Sequence, residues 1–68
     1  MKFSKVGETR HGPVWSVTEG GVKLGTIQKW SVLFTALDID GNHVLPACMT
    51  RAEAAAMLLE RAQFEGMV

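Results

Sequence analysis

Residues 50–62 read TRAEAAAMLLERA and carry the strongest structural signal in the chain. Thr50 followed three positions later by Glu53 is typical of a capping box, in which the threonine hydroxyl accepts a hydrogen bond from an N–H of the first helical turn. The alanine-rich sequence that follows has a high helix propensity, and Gly66 stands where such a helix would end. The pattern predicts one C-terminal helix beginning after Thr50.

The predicted helix has two faces of different character. At about 100° per residue, the face expected against a sheet carries Ala55, Leu58, Leu59 and Ala62, with Ala52 and Ala54 beside them. The far side carries a stripe of large apolar residues bracketed by carboxylates, namely Glu53, Met57, Glu60 and Phe64. The stripe is either a helix flank and end without functional meaning or a protein-contact surface, since Met and Phe favour interface cores.

Upstream of the helix, strand-like segments alternate with turn residues. Residues 14–18 and 22–28 flank Gly20-Gly21, whose freedom to adopt positive φ predicts a hairpin turn. Simple alternation in the second strand places Leu24 on one face and Lys23, Gly25 and Ile27 on the other.

The second half of the predicted sheet has less regular boundaries. Residues 32–39 are again strand-like, so a turn or bulge is expected near residues 29–31. Residues 40–42, Asp-Gly-Asn, predict a further turn. Residues 43–45 predict a short last strand that stops at Pro46.

These segments predict an α+β fold, a small antiparallel sheet of three to four strands followed by one C-terminal helix packed on one face. Residues 1–12 are expected to form an N-terminal arm or a short edge segment. Residues 13–68 are expected to form a single ββββα domain.

Composition excludes several classes of protein. The chain has 68 residues, 47% of them apolar, a single cysteine and a formal net charge of zero, which excludes a multidomain enzyme, a disulfide scaffold and a uniformly basic binder. The charge is nevertheless bipolar. Residues 1–37 hold five cations against two carboxylates, net +3, and residues 38–68 hold two against five, net −3.

The residues that could carry chemistry lack the required spacing. Asp38, Asp40 and Asn42 resemble the start of a calcium loop, but His43 and Met49 occupy the sixth and twelfth positions, where such a loop needs Gly and Glu. A turn is therefore expected there. The potential metal ligands His11, His43 and Cys48 show no paired spacing, so we expect no metal site and interpret Cys48 as a small buried hydrophobe.

Catalysis and membrane insertion are not expected. Gly20, Gly21 and Gly25 lack the order of a phosphate-binding loop, and so short a chain has little room to enclose a substrate. We therefore expect no enzymatic activity, no cofactor and no small-molecule substrate. The sequence has no run of about 20 apolar residues and no signal-peptide pattern, so we expect a cytoplasmic protein without a membrane partner.

Residues 25–62 show a family resemblance. Gly25-Thr26-Ile27, Trp30, the Gly41 turn and the capped alanine-rich helix occur in the same order as in the plant ethylene-response-factor domain and the arm-binding domains of phage integrases, which the chain resembles over about half its length. In those families the sheet enters the major groove of DNA through Arg and Trp side chains. The resemblance implies a DNA-binding sheet here with Lys23, Gln28, Lys29 and Trp30 as contacts, although the matching strand holds no Arg.

Size and composition favour a different function. Small, near-neutral, single-cysteine chains are typical of phage or mobile-element accessory proteins, such as anti-CRISPR inhibitors, that bind and block a host protein. We therefore expect a non-catalytic protein-binding module of the host cytoplasm. Its contact residues would be Glu53, Met57, Glu60 and Phe64, or the exposed sheet face or edge, and it would bind another protein or itself as a homodimer. The alternative is the sheet-based DNA-binding module. Trp15 and Trp30 could be core residues or base-stacking ones.

Overall fold

The structure, a computed structural model, describes residues 1–64. These residues form an antiparallel sheet of five strands in the order β1-β2-β3-β4-β5 and one helix packed against it. The elements are β1 (Lys2–Thr9), β2 (Gly12–Glu19), β3 (Val22–Trp30), β4 (Leu33–Leu37), β5 (His43–Cys48) and α1 (Arg51–Phe64). The predicted α+β class is confirmed. Gly66, the expected helix end, lies outside the described residues.

The N-terminal segment, expected to be an arm or a short edge segment, is the eight-residue edge strand β1. It pairs with β2 from Lys2 opposite Thr18 to Thr9 opposite Gly12, with a register shift between Lys5 and Gly7. The sheet therefore has one strand more than the predicted upper limit of four. Most β1 side chains are exposed, so the segment lacks the apolar alternation that marks a half-buried strand.

A bulge in β3 corrects the predicted alternation of that strand. Val17 pairs with Gly25 and Thr18 with Lys23, so Leu24 is the extra residue between two paired positions. Leu24 and Ile27 are both buried in the same core, where simple alternation had placed them on opposite faces. The bulge thereby adds a large apolar side chain to the core.

Two boundaries differ from expectation. The turn expected near residues 29–31 falls at residues 31–32, where Ser31 adopts a positive φ of 61°. Pro46 was expected to stop the last strand, yet β5 continues to Cys48. Pro46 is tolerated because β5 is an edge strand and its pairing with β4 is irregular between the Phe34–Cys48 and Ala36–Val44 pairs.

The helix begins and packs as its sequence predicts. Thr50 Oγ1 accepts a hydrogen bond from the N–H of Glu53 at 3.1 Å, which satisfies one of the free donors of the first turn. The buried face of α1 consists of small residues and one leucine, and Leu59 beside it is half-buried. Its members are Ala54, Ala55, Leu58 and Ala62, whereas Ala52, expected beside this face, is exposed. The buried members pack with Val17, Leu24, Ile27, Ala36 and Cys48 of the sheet.

Arg51 covers the part of the core nearest β1 and β2. Its guanidinium lies 4.5 Å from the ring centroid of Phe3 and 4.8 Å from that of Trp15, within cation–π range. Trp15 also meets Phe34, with ring centroids 6.0 Å apart. Trp15 is therefore a core-edge residue, whereas Trp30 is 51% exposed.

Gly25 is the position at which the fold tolerates no side chain. Its φ is +152°, and an added Cβ would overlap the carbonyl oxygen of Leu37 and lie 3.2 Å from Leu58 Cδ2. The residue therefore brings β3 close to both β4 and the helix.

We predict that Gly25→Ala lowers the free energy of unfolding by about 2–5 kcal/mol, because it combines overpacking with backbone strain. A core of this size supplies only roughly 3–5 kcal/mol, so much of the variant should be unfolded at 25 °C. Urea titration followed by circular dichroism measures the loss. Gly7→Ala is the matched control, since no atom lies within 4 Å of a Cβ at Gly7; equal stability of the two variants would contradict the packing argument.

Candidate functional site

A groove runs between α1 and the edge strand β5. It encloses about 330 Å³ and is lined by Val44, Pro46, Met57, Glu60, Arg61 and Phe64. Three of the four stripe residues predicted from the sequence line this groove, namely Met57, Glu60 and Phe64, whereas Glu53 does not. Val44 and Pro46, which supply the opposite wall, were not predicted, since no local pattern shows which strand lies beside a helix. We call this site the helix–strand groove.

The stripe residues differ in burial. Phe64 is 92% exposed, and Glu53 and Glu60 are exposed as well. Met57 is half-buried and packs against the core, with its Sδ 3.1 Å from the Sγ of Cys48. The expectation that both apolar residues point away from the core is confirmed for Phe64 and wrong for Met57, because α1 lies close enough to β5 for Met57 to cover Cys48.

Cys48 is the thiol beneath the groove. It is 8% exposed, as expected of a small buried hydrophobe. Burial raises the pKa of the Cys48 thiol above its ordinary value, and the nearby charge of Glu53 raises it further. The thiol is therefore protonated at neutral pH and is a poor nucleophile.

The charged side chains around the groove differ in whether they have an ion-pair partner. Arg61 Nη2 lies 3.7 Å from Asp38 Oδ2, so that cation already has a carboxylate partner. Among residues 1–64, Glu53 and Glu60 enter no ion pair. The rim of the groove is therefore acidic in its uncompensated charge.

Asp38 closes the β4–β5 turn. Its Oδ1 accepts hydrogen bonds from the N–H groups of Asp40 at 2.9 Å and Asn42 at 3.0 Å. The pKa of the Asp38 carboxyl lies below its ordinary value, mainly because of the hydrogen bond from the Asn42 N–H. Burial opposes this shift, and the Asp40 N–H and the charge of Arg61 add smaller lowering effects. In the described part of the chain, no group of three or more His, Cys, Asp or Glu side chains is placed to hold a metal ion.

The face of the sheet that α1 leaves uncovered is the second candidate surface, called here the open face. Cross-strand pairing and alternation assign its members. They are Lys2, Ser4, Val14, Ser16, Thr18, Lys23, Thr26, Gln28, Trp30, Leu33, Thr35, Leu37 and His43. The two carboxylates carried by the described strands, Glu8 and Glu19, belong to the other face, where Glu8 binds Lys5 at 2.7 Å and Glu19 binds the N-terminal amine at 3.4 Å. The strands thus present cations and no carboxylate on the open face.

The predicted nucleic-acid residues divide between the two faces. Lys23, Gln28 and Trp30 share the open face, whereas Lys29 pairs with Phe34 on the helix-covered face, because successive strand residues point to opposite sides. His11, which sequence reasoning did not connect with this surface, stacks on Trp30 with ring centroids 3.8 Å apart. That contact joins two turns distant in sequence, so no local signal could have indicated it.

No known protein family, curated protein or solved structure matches the chain. Within residues 1–64, no helix has the length and apolar character needed to cross a membrane. The candidate functional surfaces of this protein are therefore the helix–strand groove and the open face.

The turn around Asp38 predicts a specific pH dependence of stability. A carboxyl whose folded pKa is depressed stabilises the fold above its unfolded pKa, about 3.9, and this contribution disappears as pH falls through the folded pKa. Asp38→Ala should therefore lower the urea midpoint at pH 7, and the gap from the parent protein should narrow as pH falls from the unfolded pKa through the lower folded one. Asp38→Asn keeps one acceptor oxygen and should lose less. A gap that stays constant with pH would show that the charge is irrelevant.

Proposed function

We propose that this chain is a non-catalytic protein-binding module whose contact surface is the helix–strand groove. The observation that carries the proposal is Phe64, a large apolar side chain 92% exposed at the lip of an apolar groove. Burying such a side chain contributes about 1.5–3 kcal/mol. Aromatic residues at the centre of an interface are frequent binding hot spots.

The size of the protein suits a blocking role. A standard interface buries about 800 Å² per partner, whereas the whole accessible surface here is 4287 Å². One partner would therefore cover roughly a fifth of this protein and would have a similar area of its own surface masked. We propose an accessory protein of a phage or mobile element that inhibits a host protein by occlusion in the host cytoplasm.

Phe64→Asp should abolish partner capture while leaving the fold intact, because the side chain is almost fully exposed. The measurement is affinity capture from a lysate of the encoding host, with mass-spectrometric quantification of each protein recovered. Val32→Asp is the matched control, since Val32 is 75% exposed, lies in the β3–β4 turn and does not line the groove. A protein captured by the parent and by Val32→Asp, but not by Phe64→Asp, supports the groove.

Equal capture by all three proteins would exclude the groove as the contact surface. Sedimentation of the purified proteins adds a second readout. A parent dimer that Phe64→Asp dissociates would identify a homodimer as the occupant. Met57→Asp is unsuitable for this test, because Met57 packs on the core and Cys48 and its substitution would also affect stability.

A sheet-based DNA-binding module of the integrase or regulator type is the second candidate, favoured by the absence of strand-borne carboxylates on the open face. Lys2 and Lys23 could contact phosphates. The exposed ring of Trp30, beside His11, offers an aromatic surface for bases. This cationic set is small, so any affinity would be modest and strongly dependent on salt.

If the second candidate is correct, the parent protein should retard random-sequence DNA in an electrophoretic assay at about 50 mM salt and lose that binding by about 200 mM. Lys23→Glu and Trp30→Ala should each weaken the shift. Lys5→Ala should not, because Lys5 lies on the helix-covered face and is paired with Glu8. Binding that is insensitive to salt, or a shift weakened equally by all three variants, would exclude the open face as a DNA-binding surface.

A further inference from the structure

We infer that the segment bound in the helix–strand groove is a short peptide stretch in which one large apolar side chain is flanked by lysine or arginine. The inference rests on the proposed protein-binding function and adds the chemistry of the partner. It follows from the shape of the groove, the charge on its rim and the backbone of β5.

The groove can accommodate an apolar anchor. Val44 and Pro46 form one wall, and Met57 and Phe64 form the other. The unbranched thioether of Met57 adapts its shape to an inserted side chain, while Pro46 is rigid. A volume of about 330 Å³ is at the lower end of binding cavities, which suits the insertion of a short segment of the partner.

The unpaired carboxylate of Glu60 favours a bound segment that carries a cation beside its apolar side chain. Glu60 lines the groove and enters no ion pair among residues 1–64. Arg61, the cation of the lining, is engaged by Asp38 at 3.7 Å. A partner carrying Lys or Arg next to its anchor would pair with Glu60, whereas an acidic partner would be repelled.

The backbone of β5 disfavours recognition by strand addition. Pro46 has no N–H to donate, and the pairing of β5 with β4 is irregular around it, so the outer edge is not a regular template for another strand. Recognition therefore depends on side chains inserted into the groove and on its rim charges, and the sequence of the bound segment should show those two features.

The inference is tested by selecting binders to the full chain from a displayed random-peptide library, without a known partner. The expected consensus is a large apolar residue flanked by Lys or Arg. The synthetic consensus peptide is then titrated by fluorescence anisotropy against the parent protein and three variants. Phe64→Asp removes the anchor contact, Glu60→Lys reverses the rim charge, and Glu8→Lys reverses an exposed carboxylate at the opposite edge of the sheet.

We expect Phe64→Asp to weaken binding by about tenfold or more and Glu60→Lys by roughly threefold to tenfold. Glu8→Lys should leave it unchanged. Binding to the parent protein should weaken as salt rises, because the rim contacts are exposed. Glu60 is preferred to Glu53 for this test because a lysine in the first turn would also destabilise the helix.

The outcomes separate the inference from the proposed function. Failure to enrich any peptide, or enrichment of peptides that bind Phe64→Asp as well as the parent, overturns both. Peptides that require Phe64 but carry acidic or uncharged flanks, and are unaffected by Glu60→Lys, overturn the inference and leave the protein-binding function standing. A parent dimer that Phe64→Asp dissociates also overturns it, since a second copy then occupies the groove.

Discussion

The close approach of α1 to the centre of the sheet is the constraint on which the rest of the structure depends. It is possible because the contact surfaces include small residues, with Ala36 of the sheet in the same core as Ala54 and Ala55 of the helix and Gly25 facing Leu58. A larger side chain at Gly25 would collide with the Leu37 carbonyl and crowd Leu58. The core is small, so each of its contacts supplies a large share of the total free energy of unfolding.

That packing also determines which surfaces remain available. The helix lies over β3, β4 and β5, and the guanidinium of Arg51 covers Phe3 and Trp15 beside them. Met57 packs against the core. Within residues 1–64 no further element covers the end of α1, so Phe64 remains in solvent. The helix–strand groove lies where α1 meets the edge strand β5.

The fold converts a charge gradient along the chain into surfaces of different sign. Lys2 and Lys23 lie on the open face, and Glu8 and Glu19 lie on the opposite face with cationic partners. The helix carries Glu60 at the groove, and Glu53, nearer the start of the helix, is also exposed. The open face therefore favours anionic partners, and the groove favours cationic ones. Both surfaces exist only in the folded protein, so a partner bound at either one would raise the stability of a weakly stabilised fold.

The sequence alone determined the elements whose causes are local. Thr50 caps α1, residues 20–21 form a hairpin turn, and Asp38 closes the turn before β5, because a cap or tight turn depends on residues a few positions apart. The helix face that packs on the sheet also follows from helical periodicity.

What only the tertiary structure decided depends on pairing between distant segments. Strand β1 exists because β2 offers it an edge, and the bulge at Leu24 shifts which residues of β3 reach the core. Met57 proved to be a core-edge residue, and Val44 and Pro46 became groove walls, because helix and strand meet there across a packed interface. Neither the register of two strands nor the distance between a helix and a sheet edge is encoded in any short stretch, since both are fixed by the combined packing of the whole chain.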